Sequence, residues 1–318
     1  MAAVGRRVTL NDVAAASGVS RATVSFVLND DPRQTISTAT RERVLTAART
    51  LGYVPHGIAR ALREGSSRIV VLDIGPGRTD GSFARSYVRG LDAELAAHDH
   101  LLLVRPATPR SDRQALDAIA PRAVLRLDEA AACGGDGDGD GSGDGSGVGE
   151  SGCAAHADPV RTQLRHLADR GHRHIALALP AHDLPPAEAR LRVAREAARQ
   201  LGLAPLISFV VPRPRAAGTD AVRALRAGHP EVTAVAAFDD PVALRTLTAV
   251  HDLGLTAPAD LAVIGYDDTG YGELVAPALT TVHLDAEPCG RRAARTALGL
   301  DAVGPATASG RVVVRESA

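Results

Sequence analysis

Two hydrophobic periodicities divide this chain near residue 65. Over residues 8–51 apolar and small side chains recur at three- and four-residue spacing, the period of a helix. Val13, Ala14 and Ser17 form one such stripe and Val24, Val27 and Leu28 a second, with Gly18 between them. The spacing predicts two short helices joined by a turn, with Gly18 where a positive φ is wanted. Thr9 N-caps the first helix, Asp12 sits where a carboxylate favours its start, and Ser20 caps the second. A third helix is predicted from Ser37, its N-cap, to about Leu51. Its buried stripe is Val44, Leu45, Ala48 and Leu51, and Gly52 ends it.

From Arg68 the pattern changes to short apolar runs alternating with amphipathic stretches. Strands are predicted over 69–74, 101–104, 123–125, 175–179, 206–211, 234–238 and 261–265. Helices are predicted over 83–97, 112–120, 159–170, 186–200, 217–227 and 241–253. Apolar strands alternating with helices argue for parallel sheets covered on both faces.

The first two helices and their glycine turn have the layout of a helix-turn-helix, which reads bases from the N-terminal part of its second helix in the DNA major groove. Arg21 is the candidate for a guanine contact, because its fork matches O6 and N7. Ala22 and Phe26 are limited to apolar contacts, for example with a thymine methyl. Thr9, Ser20, Thr23, Ser25 and Asn29 suit phosphate contacts, which set register and not sequence. The plainer alternative for Arg21 is a solvated first-turn residue. Charge supports the DNA reading: residues 1–65 hold nine Arg and five acidic residues, and the remainder 27 Arg and 32 acidic ones. A basic head on an acidic body fits a protein whose body does another job. Pro55 opens a further short segment through Arg63, expected to order only against DNA or a partner chain.

Residues 8–29 with Ala22-Thr23-Val24-Ser25, the turn Tyr53-Val54-Pro55 and the run Ala59-Arg60-Ala61-Leu62 together resemble the LacI/GalR family of bacterial transcriptional regulators. The resemblance implies that the short segment is a hinge helix, paired with its dimer mate in the minor groove. Leu62 matches the leucine that wedges between central base pairs, in keeping with apolar wedges that kink DNA, and Ala59 and Arg63 match flanking contacts. Packing of Leu62 back onto the body is the alternative. His56 stands where the family usually has asparagine.

The resemblance extends more loosely over the body, through Arg170-Gly171-His172-Arg173-His174-Ile175, Val263-Ile264-Gly265-Tyr266-Asp267-Asp268, Pro277-Ala278-Leu279-Thr280-Thr281-Val282 and Val314-Arg315-Glu316-Ser317. It implies a core similar to periplasmic sugar-binding proteins: two α/β lobes joined by crossovers near Pro180, near Val282–Leu284 and near the C-terminus, with a small molecule between them. Ligands of parallel sheets sit beyond the carboxyl ends of strands, so Asp239, Asp240 and Asp267 become effector candidates. Arg192, in Ala189-Arg190-Leu191-Arg192, matches an arginine that grips sugar hydroxyls in relatives. A carboxylate paired with a guanidinium suits a polyol, and Phe83 and Phe238 offer stacking faces. Asp239 and Asp267 also suit a plainer role as helix caps or turn residues. The chain departs from the family at Asp239-Asp240, usually Asn-Asp, and at Arg245, usually glycine.

The expected fold is thus α/β: a small all-α helix-turn-helix head over residues 1–52, a hinge and linker over 53–67, and a two-lobed core like periplasmic binding proteins over 68–318. A Gly/Asp-rich insert over 133–153 interrupts the first lobe and cannot bury a core. Asp-Gly alternation also resembles calcium loops, but an EF-hand's terminal glutamate spacing is absent, so no metal or cofactor is expected. Cys133, Cys153 and Cys289 lack metal spacing and read as free thiols. No apolar run reaches the ~18 residues of a membrane span, and no signal-peptide pattern opens the chain; a cytoplasmic location is expected. The function these readings imply is a homodimeric DNA-binding regulator, a repressor, on a pseudo-palindromic double-stranded operator, switched by a small molecule such as a sugar. The alternative is a regulator whose body only dimerises. An enzymatic body is the third reading, and it is disfavoured: Gly75–Gly81 lacks dinucleotide-loop spacing, and no nucleophile–base arrangement stands out.

Overall fold

The computed structural model describes residues 8–28, 35–53, 67–75, 81–106, 116, 118–127, 157–181 and 185–318. The chain divides into two units, residues 1–68 with 118–120 and residues 69–117 with 121–318. The expected roles of Asn29, Ala59, Leu62 and Arg63, the insert at 133–153, and most of the helix expected over 112–120 lie outside the described residues.

In the first unit α1 (Leu10–Ser17), α2 (Arg21–Leu28) and α3 (Thr38–Leu51) close on a core of Val13, Val24, Val27, Val44 and Ala48. Thr9 and Asp12 form a full capping box: the Thr9 hydroxyl accepts from the Asp12 N–H, and the Asp12 carboxylate accepts from the Thr9 N–H at 2.7 Å. Gly18 takes φ 67°, the left-handed conformation the turn requires. Two expected core positions are corrected. Leu45 and Leu51 are each 37 % exposed. The buried side of α3 centres on Val44 and Ala48, and Leu45 lies about 100° around the helix from Val44. Leu51 is the last helical residue, and Tyr53 packs against the core beyond it.

The second unit begins with β1 (Ile69–Ile74), α4 (Ser82–Ala97), β2 (Leu101–Pro106) and β3 (Ala123–Arg126), which give a parallel sheet in the order β2-β1-β3. Then follow α5 (Ala157–Asp169), β4 (Ile175–Pro180), α6 (Pro185–Gln200), β5 (Ile207–Val211), α7 (Arg215–Gly228), β6 (Ala234–Ala237), α8 (Asp240–Asp252) and β7 (Ala262–Ile264). These strands form a second parallel sheet in the order β5-β4-β6-β7. Residues of α5 and α6 pack with Ile175 and Leu177, and residues of α7 and α8 with Ala176 and Ala178. Burial on both faces explains why β4 reads as an unbroken apolar run.

The last elements are β8 (Thr281–Asp285), α9 (Glu287–Leu298) and β9 (Ser309–Val313), with β8 and β9 antiparallel. Val282 and Leu284 belong to the second lobe's core and Ala286 to the first lobe's, so the chain crosses at the expected place. It returns between Ala308, in the first core, and Val312, against the second. The crossover expected near Pro180 is corrected: Pro180 pairs with Val211 inside the second sheet. β4 through β7 all belong to that one sheet. No helix among the described residues is long and apolar enough to cross a membrane.

Helix α9 has no counterpart in the sequence expectations, because its buried positions are small, Gly290 and Ala294. It packs on α4 at very short range. A Cβ at Gly290 would lie 2.1 Å from the Tyr87 carbonyl oxygen, and one at Gly90 would lie 2.0 Å from that of Glu287. Gly290→Ala should therefore force α9 off α4 and cost about 1–3 kcal/mol, read as a lower thermal midpoint. Gly228→Ala, into open space, is the control and should not lower it; equal midpoints for the two variants would contradict the close helix crossing.

Candidate functional site

In the head, the first turn of α2 presents Arg21 and Ala22 to solvent. Ser20 caps that turn, accepting the Thr23 N–H at 3.1 Å, and its hydroxyl lies 2.9 Å from that of Thr23. Thr9 gives its hydroxyl proton to Asp12 at 2.7 Å. The hydroxyls of Thr9, Ser20 and Thr23 thus hold the helix starts in place while staying at the surface. Thr23, Ser25 and Phe26 are half-buried on the remaining faces of α2, between Val24 and Val27 of the core.

In the body, the carboxyl ends of β6 and β7 are organised by Asp240. Its side chain is fully buried. One carboxylate oxygen accepts the Tyr266 N–H at 2.8 Å and the Thr281 hydroxyl at 2.5 Å; the other accepts the Thr269 N–H at 2.8 Å and the Thr269 hydroxyl at 3.2 Å. Four donors fill the lone pairs of a carboxylate, so the expectation that Asp240 contacts a ligand is corrected: it fixes the backbone at the ends of β6 and β7. Burial pushes its pKa up, opposed by the bonds from Thr281, Thr269 and Tyr266. Gln163 of α5 ties the same edge from beneath, its amide nitrogen donating to the carbonyls of Ala237 and Gly265, each at 2.9 Å. Asp239 N-caps α8 through the Val242 N–H at 2.8 Å, which is the plainer of its two expected roles.

Asp267 stands at the end of β7 with φ 88°. Its Oδ1 accepts the Phe83 N–H at 2.7 Å and the Ser82 hydroxyl at 3.2 Å, and its carbonyl accepts the Ser82 N–H at 2.6 Å. A carboxylate at the first turn of α4 meets the positive end of that helix. The contact joins the two lobes. Ser82 and Ser86 extend it, accepting the N–H groups of Leu284 and Ala286 at 2.8 and 2.9 Å. Arg85 adds a bond to the Asp268 carbonyl at 2.8 Å. Phe83 stacks on Tyr87, ring centroids 6.0 Å apart, and packs against both cores. Burial pushes the Asp267 carboxyl up to about 6, against the opposing bonds from Phe83 and Ser82.

The expected arginine is corrected. Arg192 is exposed. Arg190, two residues earlier and about 200° around the helix, is only 8 % exposed. Its guanidinium carbon lies 3.7 Å from the centre of the Tyr266 ring and 5.1 Å from that of Phe238. Both rings follow the ends of strands β6 and β7. Arg190 Nη1 is buried with no hydrogen-bond partner, so a donor stands ready where Asp267 supplies an acceptor and Phe238 and Tyr266 supply faces. Arg190, Tyr266, Ser82 and Gln163 were absent from the sequence expectations; the helical phase of α6 against its buried positions Ala187 and Ala194 is the signal that favours Arg190.

Known proteins are similar to this chain in sequence and fold. Residues 9–56 match the model for bacterial regulatory proteins of the lacI family, and residues 164–318 match that for a periplasmic binding protein-like domain. The HTH-type transcriptional regulator CelR of Thermobifida fusca is 31 % identical over 313 residues, 91 % of each chain. The chain belongs to the LacI family of bacterial regulatory proteins. Another LacI-family relative, the regulator GalR of Escherichia coli K12, is 29 % identical over 309 residues, 92 % of this chain and 89 % of that one. The ribose operon repressor of the same strain is 28 % identical over 313 residues, 90 % of each. In fold, the chain is similar to the lac repressor dimer bound to operator and the anti-inducer ONPF, with TM-score 0.71 and 22 % identity over 98 % of this chain and 99 % of that one. It is also similar to the regulator CelR in complex with cellobiose, with TM-score 0.55 and 24 % identity over 98 % and 100 %.

The raised pKa of Asp267 has a stability consequence. Its folded value, about 6, lies above the ordinary 3.8, so between those pH values the folded state holds more protons than the unfolded one. Its contribution to stability is fully present below about pH 4 and lost as pH rises through about 6. Asp267→Asn keeps the acceptor for Phe83 and Ser82 and removes the buried charge. It should raise the thermal midpoint at pH 7.5, by about 1–3 kcal/mol in stability, and lose that advantage near pH 4. A gap between variant and wild type that does not change with pH would contradict the assignment.

Proposed function

We propose that this LacI-family protein is a transcriptional regulator, a repressor, that binds a pseudo-palindromic operator as a homodimer and responds to a sugar held at the strand ends of its body. The observation that carries the reading is the capped helix-turn-helix with Arg21 and Ala22 exposed on the first turn of α2, inside the segment that matches the lacI family. In this reading Arg21 reads a guanine, Ala22 and Phe26 make apolar base contacts, and Thr9, Ser20, Thr23, Ser25 and Asn29 hold phosphates. Ala59, Leu62 and Arg63 form the minor-groove hinge within 53–67, between a head over 1–52 and a core over 68–318.

The effector contacts proposed are Arg190 and Asp267, with Phe83, Phe238 and Tyr266 as apolar walls and Asp239 at the rim. Asp240 positions them. Names of relatives that refer to ribose and to a cellobiose complex support a sugar. The switch is linkage: a ligand that prefers one arrangement of the lobes changes the hinge and hence DNA affinity. The protein works in the cytoplasm, where the DNA is, and catalyses no reaction; its relatives are regulators.

Selection of bound sequences from random DNA, with binding curves at two salt concentrations, tests the DNA half. A two-fold symmetric motif with affinity falling steeply in salt is expected; no enriched motif would overturn the reading. Arg21→Ala should relax preference at one position of each half-site, a discrimination of about 1–3 kcal/mol. Equal loss on all sequences would remove that role from Arg21.

A further inference from the structure

Two hydrogen-bonding atoms at the strand ends of the second lobe have no use in the bonds described so far. Gln163 Oε1 is a buried acceptor and Arg190 Nη1 a buried donor, and neither has a hydrogen-bond partner among the described residues. Leaving such groups unpaired in the interior is costly. Gln163 is fully buried on α5. Its amide nitrogen donates to the carbonyls of Ala237 and Gly265, each at 2.9 Å, and reaches that of Ile264 at 3.4 Å. These carbonyls fix which end of the amide is nitrogen, because the flipped amide would set oxygen against oxygen. Oε1 is therefore the end turned away from them.

The two atoms belong to one edge. The carbonyls that Gln163 holds are those of Ala237 and Gly265, and the next residue in each case supplies a ring to Arg190. Phe238 lies 5.1 Å and Tyr266 3.7 Å from its guanidinium carbon. Both atoms also come from one side of the sheet, where residues of α5 and α6 pack with Ile175, Leu177 and Tyr266 in a single cluster. Asp267 follows Tyr266 directly. The hydroxyls of the adjoining segments are committed elsewhere: Thr281 to Asp240, Thr280 to the Ala318 carbonyl and Ser317 to the Val263 carbonyl.

The chemistry of the pair is selective. An amide oxygen only accepts and a guanidinium nitrogen only donates. A carboxylate or phosphate oxygen answers Arg190 and leaves Gln163 facing another acceptor. An ammonium answers Gln163 and meets the like charge of Arg190. A hydroxyl answers both, accepting from Nη1 and donating to Oε1. We propose that Gln163 is a specificity-determining residue of the effector site: its Oε1 and Arg190 Nη1 together receive one neutral hydroxyl of the ligand. The inference rests on the effector site put forward under Proposed function, and adds to it a residue and the group that residue selects.

Calorimetry on the full chain tests it, first with ribose, glucose and cellobiose, then with the monodeoxy analogues of the sugar that binds. Loss of one particular hydroxyl should weaken binding to the wild type about ten-fold or more, because the buried protein groups are then left unpaired. Gln163→Lys keeps a nitrogen donor for the Ala237 and Gly265 carbonyls but has no acceptor. Gln163→Met has neither and brings no charge into the interior, so it serves if the lysine variant does not fold. In either variant the penalty for that one analogue should disappear while the penalties at other positions stay. Arg190→Met should remove the penalty for the same analogue. A wild type that tolerates every monodeoxy analogue would overturn the inference without any variant. So would Gln163 variants that weaken every analogue equally, which makes Gln163 a support for the two carbonyls, or that leave every penalty unchanged, which leaves Oε1 to a water molecule. If a sugar binds, Arg190→Met weakens it and the Gln163 variants behave in either of those ways, the effector site stands and the role of Gln163 alone falls. If none of the three sugars binds, both fall.

Discussion

The buried carboxylate of Asp240 is the constraint on which the strand-end edge of the body, the proposed binding edge, depends. Its four donors come from the end of β7, from Thr269 and from the start of β8. The Asp240 carboxylate thus ties together segments that lie 26 or more residues away from it along the chain. A charge in the interior is stable only when its lone pairs are satisfied, so Asp240 can stay ionised only while Tyr266, Thr269 and Thr281 stay in place. The dependence runs both ways. Tyr266 then presents its ring to Arg190, and Asp267, held in a left-handed conformation, presents its carboxylate to α4.

That last contact links packing to function. Asp267 grows from the second lobe, and its partners Ser82 and Phe83 open the main helix of the first. The same turn of α4 binds Leu284 and Ala286 on the strand that carries the chain between lobes. Lobe arrangement and the proposed ligand edge therefore share one set of hydrogen bonds. In the reading proposed here, a molecule that competes for the Asp267 carboxylate also alters the bonds between the lobes. That is the physical form the proposed coupling takes: one carboxylate counted in two interactions.

Much of this was legible in the sequence, and the failures have specific causes. The head's caps were readable because Thr9, Asp12, Gly18, Ser20 and Ser37 act through local bonds within four residues. The second sheet was readable because strands buried on both faces show as unbroken apolar runs. Arg190 was missed because Arg192 was taken from the family resemblance; a two-residue shift moves a side chain to the opposite face of a helix, and the phase of Ala187 and Ala194 puts Arg190 on the buried one. Pro180 looked like a crossover, yet its place in the sheet depends on pairing with Val211, thirty-one residues away. Helix α9 was invisible because its contact with α4 uses glycine and alanine, which carry no hydrophobic stripe. Asp240 read as a ligand residue because its partners, at Tyr266, Thr269 and Thr281, are 26 or more residues away along the chain.

The central claim is that the strand-end site and the DNA-binding head are coupled. The most direct measurement is a pair of titrations on one preparation: operator affinity with and without a saturating sugar that binds the body, and affinity for that sugar with and without operator. Coupling predicts that the sugar changes operator affinity by about five-fold or more and that the operator changes sugar affinity by the same factor. A sugar that binds tightly and leaves operator affinity unchanged, with the operator equally without effect on the sugar, would contradict the account and leave the body as a dimerising scaffold.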